Sequence, residues 1–146
     1  MKTHFDFQIF SIQDEGGISV YYERLYDELS KIMEVQASCL FTQNHHSPTG
    51  IYFSPQLNFP YLFSIKYYPN LAYSYISLCR KDFNIFHPTY YDPYFLSIIG
   101  DKPFVLTIFD MIHERFSNNF NKNDPTSKRK KLLAIKAAKI IAISES

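Results

Sequence analysis

The chain has 146 residues, of which 46% are hydrophobic and 20% charged, and its formal net charge is +1. That length suits one domain that buries a real core without staples, and that composition excludes a disordered chain. A near-neutral balance without a basic repeat gives no electrostatic ground for binding nucleic acid. The start Met1-Lys2-Thr3-His4-Phe5-Asp6 lacks an apolar h-region, and no run of residues reaches membrane-spanning length.

From the N-terminus, Phe5, Phe7, Ile9 and Phe10 predict a first strand over Thr3 to Ile12, and Gln13 to Gly17 a turn in which Gly16 and Gly17 take angles that a side chain would forbid. Ile18, Tyr22, Leu25, Leu29, Ile32 and Met33 then recur at spacings of three and four, the stripe of an amphipathic helix. Val35 to Thr42 reads as a second strand and Gln43 to Pro55 as a polar excursion. Leu71, Tyr75 and Leu78 predict a helix over Tyr67 to Lys81 that leads into a strand at Phe83 to Phe86.

A further strand covers Phe104 to Ile108, followed by a helical turn at Met111 to Phe116. Asn118 to Asp124, with four asparagines in seven residues, reads as a flexible loop. Asp124 and Pro125 mark the start of a last helix that runs through Ala138 with Leu132, Ile135 and Ala138 buried, and Ile140 to Ile143 closes the pattern as a strand. Alternating strands and helices predict one α/β domain over 1–146: a Rossmann-like, mostly parallel sheet with helices on both faces. In such sheets ligands bind beyond the C-terminal strand ends, where His87, Thr89, Thr107 and Asp110 would gather.

Each candidate has two readings. The Gly16-Gly17 turn either lets a diphosphate or sugar hydroxyl approach a helix N-terminus or is a plain tight turn. His87, held extended by Pro88, either faces the cleft or anchors its own loop. Asp110 either orients a hydroxyl and takes its proton or caps the next helix, and the motif alone leans to the cap. Lys128-Arg129-Lys130-Lys131 either touches phosphate or an anionic membrane surface or is the wet face of a helix, and the buried stripe behind it leans to the wet face. His45 and His46 read as solvated, and Cys39 and Cys79 share no metal spacing, so neither metal nor cofactor is expected and the setting reads as a reducing cytoplasm. The dinucleotide fingerprint and the P-loop are absent from the sequence.

Four segments in order carry a resemblance: Gln8-Ile9-Phe10 with Gln13 ahead of Gly16-Gly17-Ile18-Ser19; His87-Pro88-Thr89-Tyr90-Tyr91; Val105 through Ile112; and Ala137 through Ser146. Together they resemble the N-terminal domain of family-4 retaining glycosyltransferases, the two-Rossmann-domain (GT-B) enzymes, over almost the whole chain. The resemblance implies a hexosyltransferase that moves a sugar from a nucleotide-diphosphate donor to a glycan or lipid-linked acceptor in bacterial polysaccharide or other glycan biosynthesis, without a metal.

On matching positions it implies that Gly16 and Gly17 contact the donor–acceptor junction and that Asp110 lies near the reaction centre. His87 and Thr89 would line the acceptor side beside Thr107, and Ser144 and Glu145 would close the rim. Phe109 stands where the family commonly has a histidine, and Val20 where it favours a basic residue.

The second Rossmann domain, which would hold the nucleotide sugar, has no counterpart here. The expectation is therefore an N-terminal piece, cut before the helix that should cover its last strand and inactive by itself. Such a piece would be able to self-associate or touch the inner face of the membrane peripherally. A non-catalytic remnant or interaction module of the same fold is the alternative.

Overall fold

The computed structural model describes residues 1–52, 62–116, 121 and 124–143. Strand β1 (Lys2–Phe5) lies between β2 (Glu34–Ala37) and β5 (Ile85–His87), parallel to both. β6 (Val105–Ile108) and β7 (Lys139–Ala142) form a second parallel pair. The two groups meet where the Phe86 N–H donates to the Pro103 carbonyl at 3.0 Å and Phe86 bridges Phe104. The resulting order is β2-β1-β5-β6-β7. Each described pairing is parallel, so these strands end on one edge. Two short strands, β3 (Phe41–Thr42) and β4 (Ile51–Tyr52), pair separately.

Register assigns the faces, because partners in a parallel ladder point the same way. Phe5 and His87 share one face, where Tyr22 and Tyr26 of helix α2 (Gly17–Ser30) meet Phe5. His4 and Phe86 share the other. There Phe86, Phe104 and Leu106 form one core with Leu78 of α3 (Leu62–Cys79) and Leu133 of α5 (Thr126–Lys136). Helices therefore cover both faces, an α/β arrangement of parallel strands.

The first predicted strand is two elements. β1 stops at Phe5, and Gln8–Ile12 forms a short helix, α1. Asp6 is the reason: its carboxylate accepts the Gln8 N–H at 3.3 Å, turning the backbone before the ladder can continue. Ile9 and Phe10 stay buried, now from a helix.

Helix α3 begins earlier than its apolar spacing predicts, and its buried stripe is polar until it reaches Leu78. Lys66, Asn70 and Ser74, four residues apart, are all buried. Asn70 satisfies four groups at once: its Oδ1 accepts from the Leu40 and Phe41 N–H groups, and its Nδ2 donates to the Phe41 carbonyl and Ser11 Oγ. The amide thus holds the backbone between β2 and β3, where no strand partner would.

Helix α5 starts one residue later than expected, at Thr126, with Asp124 Oδ1 accepting the Thr126 N–H at 2.9 Å, and ends at Lys136. Its inward face is also shifted. Lys130 and Leu133 point in, whereas Leu132 and Ile135 are exposed. Lys130 is drawn inward by the Asp110 carbonyl at 2.8 Å and Glu114 at 3.0 Å, so the basic run is not wholly a wet face. β7 is exposed along its length. Parallel strands are ordinarily covered on both faces.

Cys39 is buried and Cys79 exposed. Most of the asparagine-rich loop, the end of the polar excursion, and Ser144 and Glu145 lie outside the described residues. Among the described residues, no helix is long and apolar enough to cross a membrane.

Candidate functional site

From β1 the chain passes through α1 and α2 to β2 on one side, then through α3 to β5 on the other. Beyond the C-terminal ends of β1 and β5 the loops consequently diverge, the crevice position at which open α/β sheets hold ligands. One carboxylate fastens these loops. Asp6 is fully buried; its Oδ1 accepts from the Thr89 N–H at 2.8 Å, Thr89 Oγ1 at 2.6 Å and the Gln8 N–H, and its Oδ2 from Gln8 Nε2 at 2.7 Å and the Tyr94 hydroxyl at 3.2 Å. Burial pushes this carboxyl above its usual range, and the bonds from Thr89 and Gln8 pull it back.

The polarity continues inward. The Tyr94 hydroxyl that donates to Asp6 lies 2.7 Å from Ser74 Oγ, Ser74 Oγ lies 2.7 Å from Ser38 Oγ, and Ser38 Oγ lies 3.0 Å from His4 Nε2. Gln36 Nε2 in turn donates to His4 Nδ1. The Gln36 amide, a donor only at Nε2, leaves the His4 proton on Nε2 to face Ser38, and the Asp6 carboxylate takes the Tyr94 proton at the other end of the row.

Outside Asp6 opens a crevice of about 310 Å³ whose walls include Gln8, Tyr67, Tyr68, Tyr90, Asp92 and Arg129. Gln8 belongs to both layers: its Nε2 holds Asp6, while its Oε1 accepts the Asp92 N–H at 2.7 Å. Asp92 Oδ2 accepts from the Tyr67 hydroxyl at 3.1 Å and faces Arg129 Nη1 at 3.3 Å. Its Oδ1 takes the Tyr94 N–H and starts the short 3-10 helix Pro93–Ser97. Burial raises the pKa of Tyr67 and Tyr90, and that of Tyr91 to about 12, so these phenols stay protonated at neutral pH. The crevice thus offers aromatic faces, neutral hydroxyls and one compensated pair of opposite charges.

Most of the sequence-selected residues form the structure behind this crevice. His87 is 4% exposed, packs against Phe5 and Tyr22, and places Nε2 2.9 Å from Thr107 Oγ1. It anchors β5 to β6 rather than facing the cleft, and burial lowers its pKa to about 4. Thr107 is correspondingly buried, and Thr89 is consumed by Asp6 and by the Ile9 N–H, to which its Oγ1 is the acceptor. Asp110 follows β6, where its Oδ1 accepts the Ile112 N–H at 3.0 Å and lies 3.5 Å from Lys130 Nζ. Asp110 thus holds the turn that leads through Met111 into the short helix α4 (Ile112–Arg115), one residue before the helix cap.

A second cavity of about 390 Å³, mostly apolar, lies beside it between Ile108, Met111 and Ala134. Phe109 packs its ring edge-on against Tyr21 and Tyr22. His46 Nδ1 meets Glu23 at 2.9 Å and His45 stacks on Tyr52, so neither histidine is simply solvated.

The glycines do not serve the reason read from sequence. Gly16 has φ 168°, an extended angle open to any residue, and Gly17 has no left-handed φ. A Cβ on Gly16 would instead meet the Gln13 side chain at 2.5 Å, whereas one on Gly17 would meet nothing within 4 Å. Gly17→Ala is therefore expected to stabilise the first turn of α2 by about 0.5–1 kcal/mol, read as a rise in the urea midpoint.

Sequence reasoning missed Asp6, Gln8, Tyr67, Asp92 and Arg129. For Asp92 a signal existed: an aspartate before proline marks a helix start. Asp6 was hidden inside an overlong strand. No protein-family model matches the chain, and no curated protein and no solved structure matches it.

Proposed function

We propose that this chain is the acceptor-side, Rossmann-like domain of a retaining GT-B glycosyltransferase and that the crevice beyond β1 and β5 receives a sugar ring of a glycan or lipid-linked acceptor. The observation that carries the reading is the pairing of tyrosine faces with Asp92, Arg129 and Gln8 at the strand-order switch point. A pyranose presents C–H faces that pack on aromatic rings and vicinal hydroxyls that bridge a carboxylate to a guanidinium. Such a pocket is apolar in its walls and polar at a few fixed points.

In this reading Asp6 and Gln8 hold the crevice open by fixing its two loops, Asp92 accepts and Arg129 donates to sugar hydroxyls, and the rings of Tyr68 and Tyr90 exclude water from one face. The nucleotide sugar would be held by a second Rossmann domain, and Asp110 would approach the reaction centre only when that domain closes. The isolated chain would bind acceptor without transferring sugar.

Calorimetry or saturation-transfer NMR against a panel of neutral oligosaccharides is the test. Millimolar or tighter binding is expected, weakened roughly tenfold or more by Arg129→Met, which deletes a charged hydrogen bond, and about three- to tenfold by Tyr68→Ala, which deletes stacking. UDP-sugar binding tighter than saccharide binding would contradict the assignment.

Phe109 favours a second reading, a non-catalytic interaction module of the same fold. A ring packed on Tyr21 and Tyr22 can exchange no proton where the resembling family commonly has a histidine. Transfer activity regained on mixing with a chain that carries the second domain would reject that module.

A further inference from the structure

α3 wears its polarity inside out. Its inner stripe of Lys66, Asn70 and Ser74 is occupied by Asp14, by the Leu40–Phe41 backbone and by Ser38 with Tyr94. Its outer face is aromatic and aliphatic: Tyr68 is 64% exposed, Tyr73 40%, Tyr75 52% and Ile76 57%. Tyr68, Ala72, Tyr75, Ile76 and Cys79 fall at helical spacing on one side.

No charged residue occurs from Tyr67 to Cys79, after which Arg80 and Lys81 stand exposed. The next carboxylate, Asp82, is engaged by Lys2 at 2.7 Å. The stripe also runs into the crevice, since Tyr68 belongs to both.

We propose that this face of α3 is a bilayer-docking surface that lays the chain on an anionic membrane. Tyrosine suits the headgroup boundary, where its ring sits against acyl chains and its hydroxyl stays wet. Ile76 enters the apolar layer, and Arg80 and Lys81 meet lipid phosphates at the end of the stripe. A second copy of the chain fits less well, because the stripe carries no carboxylate to receive those two cations. No helix among the described residues is long and apolar enough to span, so α3 lies on the surface rather than crossing it. Docking this way turns the crevice mouth toward the headgroups, where a membrane-tethered saccharide would be presented. The surface itself is independent of the saccharide reading.

The experiment is flotation of the full chain with phosphatidylcholine vesicles, with and without phosphatidylglycerol. Binding is expected on the anionic vesicles, reduced tenfold or more by the combined substitution Tyr68→Ser, Tyr75→Ser, Ile76→Ser. Arg80→Ala should weaken it about fivefold, and only where phosphatidylglycerol is present. All four positions are exposed, so unfolding curves of the variants should overlay the parent. Failure to float with either vesicle, or flotation unchanged by the triple substitution, overturns the proposal. So does a dimer that the triple substitution converts to monomer without vesicle binding, which would assign the face to a second copy.

Discussion

Asp6→Ala is expected to cost roughly 3–5 kcal/mol of unfolding free energy, a large part of the stability of a domain this size. Five donors converge on this one carboxylate, three on Oδ1 and two on Oδ2, and alanine takes that acceptor from all five, leaving Gln8 Nε2 with the Asp92 carbonyl alone. The damage reaches further because Tyr94, which donates to Asp6, begins the row that runs through Ser74 and Ser38 to His4. Thr89→Val removes one of these donors together with the acceptor of the Ile9 N–H, leaves the Thr89 N–H on Asp6, and should cost about 1–2 kcal/mol. Urea unfolding at neutral pH separates the two, with m preserved and the midpoint falling further for Asp6→Ala. A loss below about 1 kcal/mol for Asp6→Ala would mean that the latch is not what joins β1 to β5.

Acid should destabilise the chain well above the carboxylate range. Burial lowers the pKa of His4 and of His87 from 6.5 to about 4, and the Lys2 charge adds to the effect on His4. Between those limits the unfolded chain binds protons that the folded one refuses. The contribution of each histidine is thus complete above pH 6.5 and is lost as pH falls toward 4.

Each imidazole gives a slope of about 1.4 kcal/mol per pH unit in that window, and the two together about 2.7. Asp6 works in the opposite sense, because its raised carboxyl lets the folded state keep a proton longer, and it subtracts from that slope wherever it titrates inside the window. Unfolding free energies measured from pH 7 down to pH 4.5 should fall with pH, and His87→Gln should take about 1.4 kcal/mol per pH unit off the slope whatever its effect at pH 7. A slope unchanged by that substitution would place the proton uptake elsewhere.

His87 illustrates how far residue type misleads when environment is unknown. A histidine at the end of a strand and before a proline has the position of a ligand, but which way it points depends on strand register. With Phe5 and His87 paired in parallel, the imidazole falls on the face covered by α2, between Phe5 and Tyr22 and against Thr107. The same register turns His4 into the polar row on the opposite face. Neither outcome is visible in a local window, because both follow from contacts made across more than twenty residues or across a neighbouring strand.

What the chain determined locally is its alternation of strands and helices, the stripe of α2, the start of α5 near Asp124 and Pro125, and the collection of polar loop residues at strand ends. These depend on spacing of three and four, on strand-length apolar runs and on the chemistry of aspartate and proline, all readable within a dozen residues. Only the tertiary structure decided that Asp6 ends β1, that α3 hides its polar residues and shows its tyrosines, and that Gln8, Tyr67, Asp92 and Arg129 converge. The physical reason is that a buried hydrogen bond selects its partner by position in space: Asp6 reaches Thr89 and Tyr94, and Asn70 reaches Ser11 and Phe41, across distances in sequence that no periodicity records.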